Sequence, residues 1–256
     1  MLLISWDSSE TRPRDGLLPS GTHSNISSAV AQSRTSILDL LATLEQFHGP
    51  QQPSFPTDPY EFLLWWHCGY PASDAACEKG WKSLKEQVGI EPRRLLAAKP
   101  AQLAAVLRPG GMVPEVRAER IKEIARRVKD EFGGDLRAAL SVPLARARKI
   151  LKSFSGIADP GADRILLFAE IVPLAAIPSN CVHVPTRILQ GPEGKNYSAS
   201  YREAQRAVAA GIPETFDARI RAYLLLKTHG QQICKRTNPK CQECPMRSVC
   251  IFVSGR

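Results

Sequence analysis

Four cysteines, Cys234, Cys241, Cys244 and Cys250, fall within 17 residues in the spacing C-x6-C-x2-C-x5-C. No other feature constrains the chain as much. Thiols crowded in this way cross-link, bind metal or stay free. The chain has seven cysteines in all; Cys68, Cys77 and Cys181 are scattered, and an odd total without an export signal argues against a disulfide framework. Thiolates are soft ligands suited to zinc or iron–sulfur centres. A zinc ribbon offers two close pairs, and here only Cys241 and Cys244 form one. A single loop wound around a four-iron cubane fits the spacing better than zinc or unligated thiols. The four residues are therefore the expected ligands of a [4Fe-4S] cluster.

Composition sets the class. With 256 residues, 43% hydrophobic and 23% charged, the chain can bury a core as one large domain or two small ones. No apolar run approaches the ~20 residues that cross a bilayer. The start, MLLISWDSSETRPRDG, lacks a basic n-region, so the expected location is the cytoplasm, in association with the nucleoid. Lys and Arg number 34 against 25 Asp and Glu, a net charge of +9. Such a balance favours a polyanionic partner, nucleic acid before a membrane surface.

The chain reads as helical almost throughout. Residues 1–33 are rich in Ser, Thr, Pro and Gly and predict a disordered tail. Ile37, Leu38, Leu40, Leu41, Leu44 and Phe47 then make an apolar stripe ending at Gly49-Pro50. Asp58-Pro59-Tyr60-Glu61 predicts a helix start, with Asp as N-cap and Pro at N1. Another helix is expected from near Asp74, and further ones over 101–107, 115–132, 143–153, 160–175, 198–210 and 214–228. Strand-length alternation is almost absent, so the expected fold is all-α, with about ten helices.

The cysteine spacing resembles the iron–sulfur loop of endonuclease III and its adenine-mismatch glycosylase relatives. Lys235, Arg236, Lys240 and Arg247 lie between the ligands; the resemblance implies that such a loop presents basic side chains to DNA phosphates. Upstream, Phe154-Ser155-Gly156-Ile157-Ala158-Asp159-Pro160-Gly161-Ala162 resembles the family's helix–hairpin–helix, L-P-G-V-G-x-K-T-A. Gly156 matches the first hairpin glycine, Ile157 the buried aliphatic, and Ala162 and Ile165 the small and apolar positions of the second helix. A hairpin of this kind points backbone N–H groups at a DNA phosphate. The resemblance thus implies DNA contacts from Gly156, Ile157, Ala158 and Gly161 as well as from the loop.

The departures matter as much as the matches. The second hairpin glycine is Ala158, and the family's nucleophilic lysine position is Pro160. The segment that carries the family's catalytic aspartate, V-D-T-H-x-x-R-V-x-x-R, is matched without a gap by 177–187. That places Pro178 at the Asp, Asn180 at the His, His183 at one Arg and Arg187 at the next. Pro71 stands at a glutamine that fills the space of an extruded base, while Asp74 keeps the acidic end of that stretch. Proline supplies neither an amine nucleophile for a Schiff base nor a carboxylate for a developing positive charge. Asp159-Pro160 reads as N-cap and N1 of the second hairpin helix, and Asp159 places negative charge beside the phosphate site. Asp163, one turn along, is the candidate substitute carboxylate. Lys149 and Lys152 are the nearest lysines, on the preceding helix. His67 and His183 read as surface or satisfied histidines, and Trp65, Trp66 and Tyr70 as core, with stacking on a base as the alternative for these aromatics.

The resemblance implies a two-lobed fold. One lobe, 57–172, is a six-helix barrel ending in the hairpin; the other combines 34–56 with 173–256 around the cluster, and double-stranded DNA, intact or damaged, lies between them. The expected protein is a monomeric iron–sulfur DNA-binding member of this base-excision-repair superfamily without the standard lyase or glycosylase chemistry. Two alternatives stand beside it: a monofunctional glycosylase using Asp163, and an iron–sulfur redox or scaffold protein that hardly uses DNA.

Overall fold

The structure, a computed structural model, describes residues 35–255; the expected tail over 1–33 lies outside them. Among the described residues there is no strand, and thirteen α-helices follow one another. The first five are α1 (Ile37–His48), α2 (Pro59–His67), α3 (Asp74–Gln87), α4 (Pro92–Ala97) and α5 (Pro100–Leu107). Next come α6 (Pro114–Glu131), α7 (Leu136–Leu140), α8 (Leu144–Lys152) and α9 (Asp159–Phe168). The last four are α10 (His183–Leu189), α11 (Tyr197–Gly211), α12 (Phe216–Gln232) and α13 (Ile251–Ser254). No helix among the described residues is long and apolar enough to cross a membrane.

Local chemistry sets most of the starts. Proline opens α2, α4, α5 and α6, where its missing N–H would have had no helical partner. Asp58 accepts from the amides of Tyr60 and Glu61 at 2.9 and 3.1 Å. Ser36 and Asp39 close a capping box on α1. Helix α9 is the main departure from the sequence expectation. It stops at Phe168 rather than running to 175, and Pro173 keeps Val172 out of helical geometry beyond that end. The amides of Ile171 and Val172 turn back to the Leu166 carbonyl, and Glu170 adopts φ 53°. The start of α9 also differs: Ala158 is the N-cap and donates no side-chain cap. Asp159 is already the first helical residue and pairs instead with Lys152 at 2.6 Å.

Two apolar cores divide the described residues. Helices α2 to α9 build the first, around Phe62, Leu64, Trp65, Leu103, Ile121, Phe154 and Leu166. The second gathers Leu40, Leu41 and Leu44 of α1 with Val184 and Ile188 of α10, Val208 of α11 and Met246. Helix α12 serves both: Tyr223 and Leu224 enter the first core, Ala222, Leu225 and Leu226 the second. A helix apolar on two sides is buried along its length.

Candidate nucleic-acid interface and cysteine loop

The hairpin is the turn between α8 and α9. Gly156 adopts φ 75°, a left-handed conformation that costs glycine nothing. A Cβ there would stand 3.4 Å from His67 Cε1, so the turn sits directly over the end of α2. Ile157 is buried and pins the turn to the first core. At the start of α9 the amides of Asp159 and Gly161 precede the first helical bonds and point out of the helix end; Pro160 between them has none.

An open groove runs beneath this turn. Gly156, Ile157, Ala158, Pro160 and Gly161 form one rim, and Trp66, Tyr70, Pro71 and Asp74 a second. Pro178 to Cys181, with Tyr223 and Lys227 of α12, complete it. The two positions that resemble the family's catalytic pair, Pro160 and Pro178, thus face one space. Trp66 and Tyr70 are part of its wall, their rings stacked 4.5 Å apart at 23°; of the three aromatics expected in the core, only Trp65 is fully buried there. The exposed face at the end of α2 accounts for the difference.

Asp163 does not take over the lost carboxylate. It is 1% exposed, is absent from the groove lining, and accepts from Arg148 at 2.7 Å, Gln205 at 2.8 Å and Tyr201 at 3.1 Å. These donors hold it on the far side of α9 as a structural anion. Lys149 and Lys152, the nearest lysines in sequence, do not line the groove. Lys227, 153 residues from its partner Asp74, does, and sequence reasoning missed it. The one sequence signal for it is a lone cation inside the apolar run LLLKTHG.

The cysteine loop is anchored by α10. His183 Nε2 donates to the Cys234 carbonyl at 2.6 Å, and Arg187 donates to the carbonyls of Lys235 and Arg236 at 2.9 and 3.0 Å. Both side chains are buried, so these two family-arginine positions hold the loop rather than reach outward. All four cysteines line one small pocket. No carboxylate or imidazole lines it, and Arg187, Lys240 and Arg247 border it. Among the described residues no group of three or more His, Cys, Asp or Glu side chains is placed so as to hold a metal ion. Burial pushes the Cys234 thiol up to about 11 and raises Cys244, so ligation here would release protons. Lys235, Arg236, Lys240 and Arg247 are exposed; Arg236 pairs with Glu193 at 3.3 Å and Lys240 with Glu243 at 3.1 Å.

No protein-family model matches the chain. Individual proteins do. It is 28% identical over 200 residues to an endonuclease III of Thermotoga maritima, covering 78% of this chain and 86% of the relative. It is 25% identical over 166 residues to a thymine/uracil-DNA glycosylase of Pyrobaculum aerophilum, covering 64% and 68%. Among solved structures, a thermostable thymine-DNA glycosylase superposes with a TM-score of 0.67 at 21% identity, over 86% of this chain and 97% of that one. A trapped endonuclease III–DNA covalent intermediate gives 0.68 at 19%, over 87% and 99%. The architecture is that of the helix–hairpin–helix glycosylases. In sequence the chain is similar to endonuclease III and to thymine/uracil-DNA glycosylase, and in fold to the endonuclease III-like glycosylases.

His67 provides a pH-dependent test of the packing under the hairpin. Burial first, then the Arg120 charge, pushes its pKa down to about 4, so the ring is neutral in the fold. The unfolded ring titrates near 6.5. Between these values the unfolded chain binds a proton that the folded chain excludes. The stability is present above about pH 6.5 and is lost as pH falls towards 4, amounting to roughly 3 kcal/mol. Denaturant titrations at pH 7 and pH 4.5 should show a smaller acid-induced loss in His67→Gln than in the parent. Equal losses would mean that the folded ring already accepts a proton.

Proposed function

We propose that this chain is an iron–sulfur DNA-binding protein of the base-excision-repair superfamily that grips double-stranded DNA with its hairpin and cysteine loop and lacks the hairpin-lysine chemistry. The observation that carries this reading is the pair of prolines, Pro160 and Pro178, facing one groove beside the hairpin. Neither side chain can attack a sugar or stabilise charge on it. The hairpin's grip rests on backbone, with the amides around Gly156, Ala158 and Gly161 as the donors for a phosphate. Gly156 supplies the turn and Ile157 its anchor. On the other side, Lys235, Arg236, Lys240 and Arg247 would meet the strand as point charges.

Cys234, Cys241, Cys244 and Cys250 would hold a [4Fe-4S] cluster, which when bound supplies a structural clamp on a loop with little apolar content. Two relatives support the DNA partner by their own descriptions: endonuclease III occurs as a non-covalent DNA complex and as a trapped covalent one.

Three outcomes test this reading. Purified protein is expected to contain about four irons per chain with matching sulfide, and Cys244→Ser to loosen the segment after Cys234 while α2 to α9 stay folded; one zinc and no sulfide would overturn the cluster. Binding to duplex DNA should weaken equally for all sequences in Lys235→Ala/Arg247→Ala, with a salt slope flatter by about 1 to 2 units; an unchanged slope would remove the loop from the interface. Borohydride treatment on abasic-site DNA is expected to leave no covalent adduct above background. An adduct mapped to any lysine, Lys227 included, would overturn the reading of a vacated active site.

A further inference from the structure

The groove floor holds more positive charge than it can neutralise. Arg164, on α9, is buried. Its guanidinium carbon lies 3.8 Å from the Phe55 ring centre and 4.7 Å from that of Phe62. Its Nε and Nη2 are buried without a hydrogen-bond partner. Lys227, on α12, is mostly buried and is ion-paired with Asp74. Arg164 and Lys227 are neighbours: after burial, the Arg164 charge is the strongest influence lowering the lysine's pKa. Asp74 is the one carboxylate among the groove-lining residues, and Lys227 already occupies it.

Arg164 therefore sits in the lining as a buried cation without an anion. Burying an unpaired charge is unfavourable, and aromatic faces offset only part of that cost. The same wall carries a second idle donor, because Trp66 Nε1 is buried and has no acceptor. A groove with spare donors and spare positive charge calls for a ligand rich in acceptors and negative. The stacked Trp66–Tyr70 pair beside it gives that ligand an apolar face to lie on.

We propose that the groove floor is an anion site, formed by Arg164 and Lys227, for the phosphate monoester of a nucleotide whose base packs on Trp66 and Tyr70. A monoester carries about −1.5 to −2 charges at pH 7, whereas each phosphodiester of a continuous strand carries one and is tied on both sides. The chemistry therefore favours a terminal phosphate, either on a free nucleotide or at the end of a DNA strand. Only the strand-end source rests on the DNA-binding reading above.

Both sources can be titrated against the full-length protein. One arm compares deoxyadenosine monophosphate with deoxyadenosine by calorimetry. The other compares nicked duplexes with and without a 5′- or 3′-terminal phosphate by fluorescence anisotropy. In at least one arm the phosphorylated probe should bind about tenfold tighter or more, the worth of one charge-assisted hydrogen bond. Arg164→Met should abolish that preference, and so should Asp74→Asn/Lys227→Met, which removes the lysine without stranding its carboxylate. Affinity for intact duplex should stay at the parent level in both variants. If Arg164→Met fails to fold, the double variant still decides. Equal binding with and without phosphate in both arms would overturn the site, as would a phosphate preference that survives in the variants. Loss of intact-duplex binding in the parent, with nucleotide binding retained, would instead refute the DNA-binding reading and leave the anion site standing.

Discussion

Helix α12 is the element on which the rest of the structure depends. Within five consecutive residues it places Tyr223 and Leu224 in one core and Ala222, Leu225 and Leu226 in the other. Its rotation is thereby fixed from both sides, since turning it to improve one core would withdraw side chains from the second. Everything that follows on the same helix inherits that orientation. Lys227 is delivered to the groove, and two residues on His229 is held between His48 and the sulfur of Cys244, at 3.0 and 3.5 Å. Groove and cysteine loop are therefore placed relative to each other by packing, and Arg236 of the loop lines the groove as well.

The loop's own anchorage follows a similar economy. Its first residues offer three carbonyls in a row, those of Cys234, Lys235 and Arg236, and α10 supplies a donor to each from only two side chains, His183 and Arg187. A guanidinium can satisfy two carbonyls and a carboxylate at once, and Arg187 also reaches Glu193 at 2.9 Å. Because both residues are buried, their donors are strong and geometrically exacting. The entry of the loop is thus positioned by protein contacts, leaving the four thiols to close around whatever fills their cavity.

Much of this was legible in the sequence, and the part that was not shares a physical cause. The helix start at Asp58 and Pro59 follows from groups within four residues of one another, so local chemistry reports it, whereas the short α4 led by Pro92 was not expected. The cysteine spacing is equally local. By contrast, α10 contains Pro185 and is short; it is held by carbonyls about 50 residues away, which no window of sequence displays. Asp163 looked like an available carboxylate because its donors Arg148, Tyr201 and Gln205 come from two other helices. Arg164 and Lys227 read as ordinary basic residues, and only the fold brings them to one floor beside Asp74. Trp66 and Trp65 are adjacent and chemically identical, yet helix geometry turns one to the groove and buries the other.

On the binding reading proposed above, the hairpin could grip without the lysine chemistry. Replacing a lysine by Pro160 removes an amine, but in the first turn of α9 it breaks no helical hydrogen bond. The negative charge of Asp159, expected from sequence to repel a phosphate, is met by Lys152 at 2.6 Å. Such an exposed pair adds little to stability. It does make the rim of the hairpin locally neutral, so Asp159 opposes an approaching strand less than its charge alone suggests. Gly156 retains the left-handed turn and Ile157 the buried anchor, which are the two features that aim backbone donors outward. The departures from the family pattern thus fall on side chains that would act on a sugar and spare the backbone that would hold a phosphate, which is the division the proposed binding reading requires.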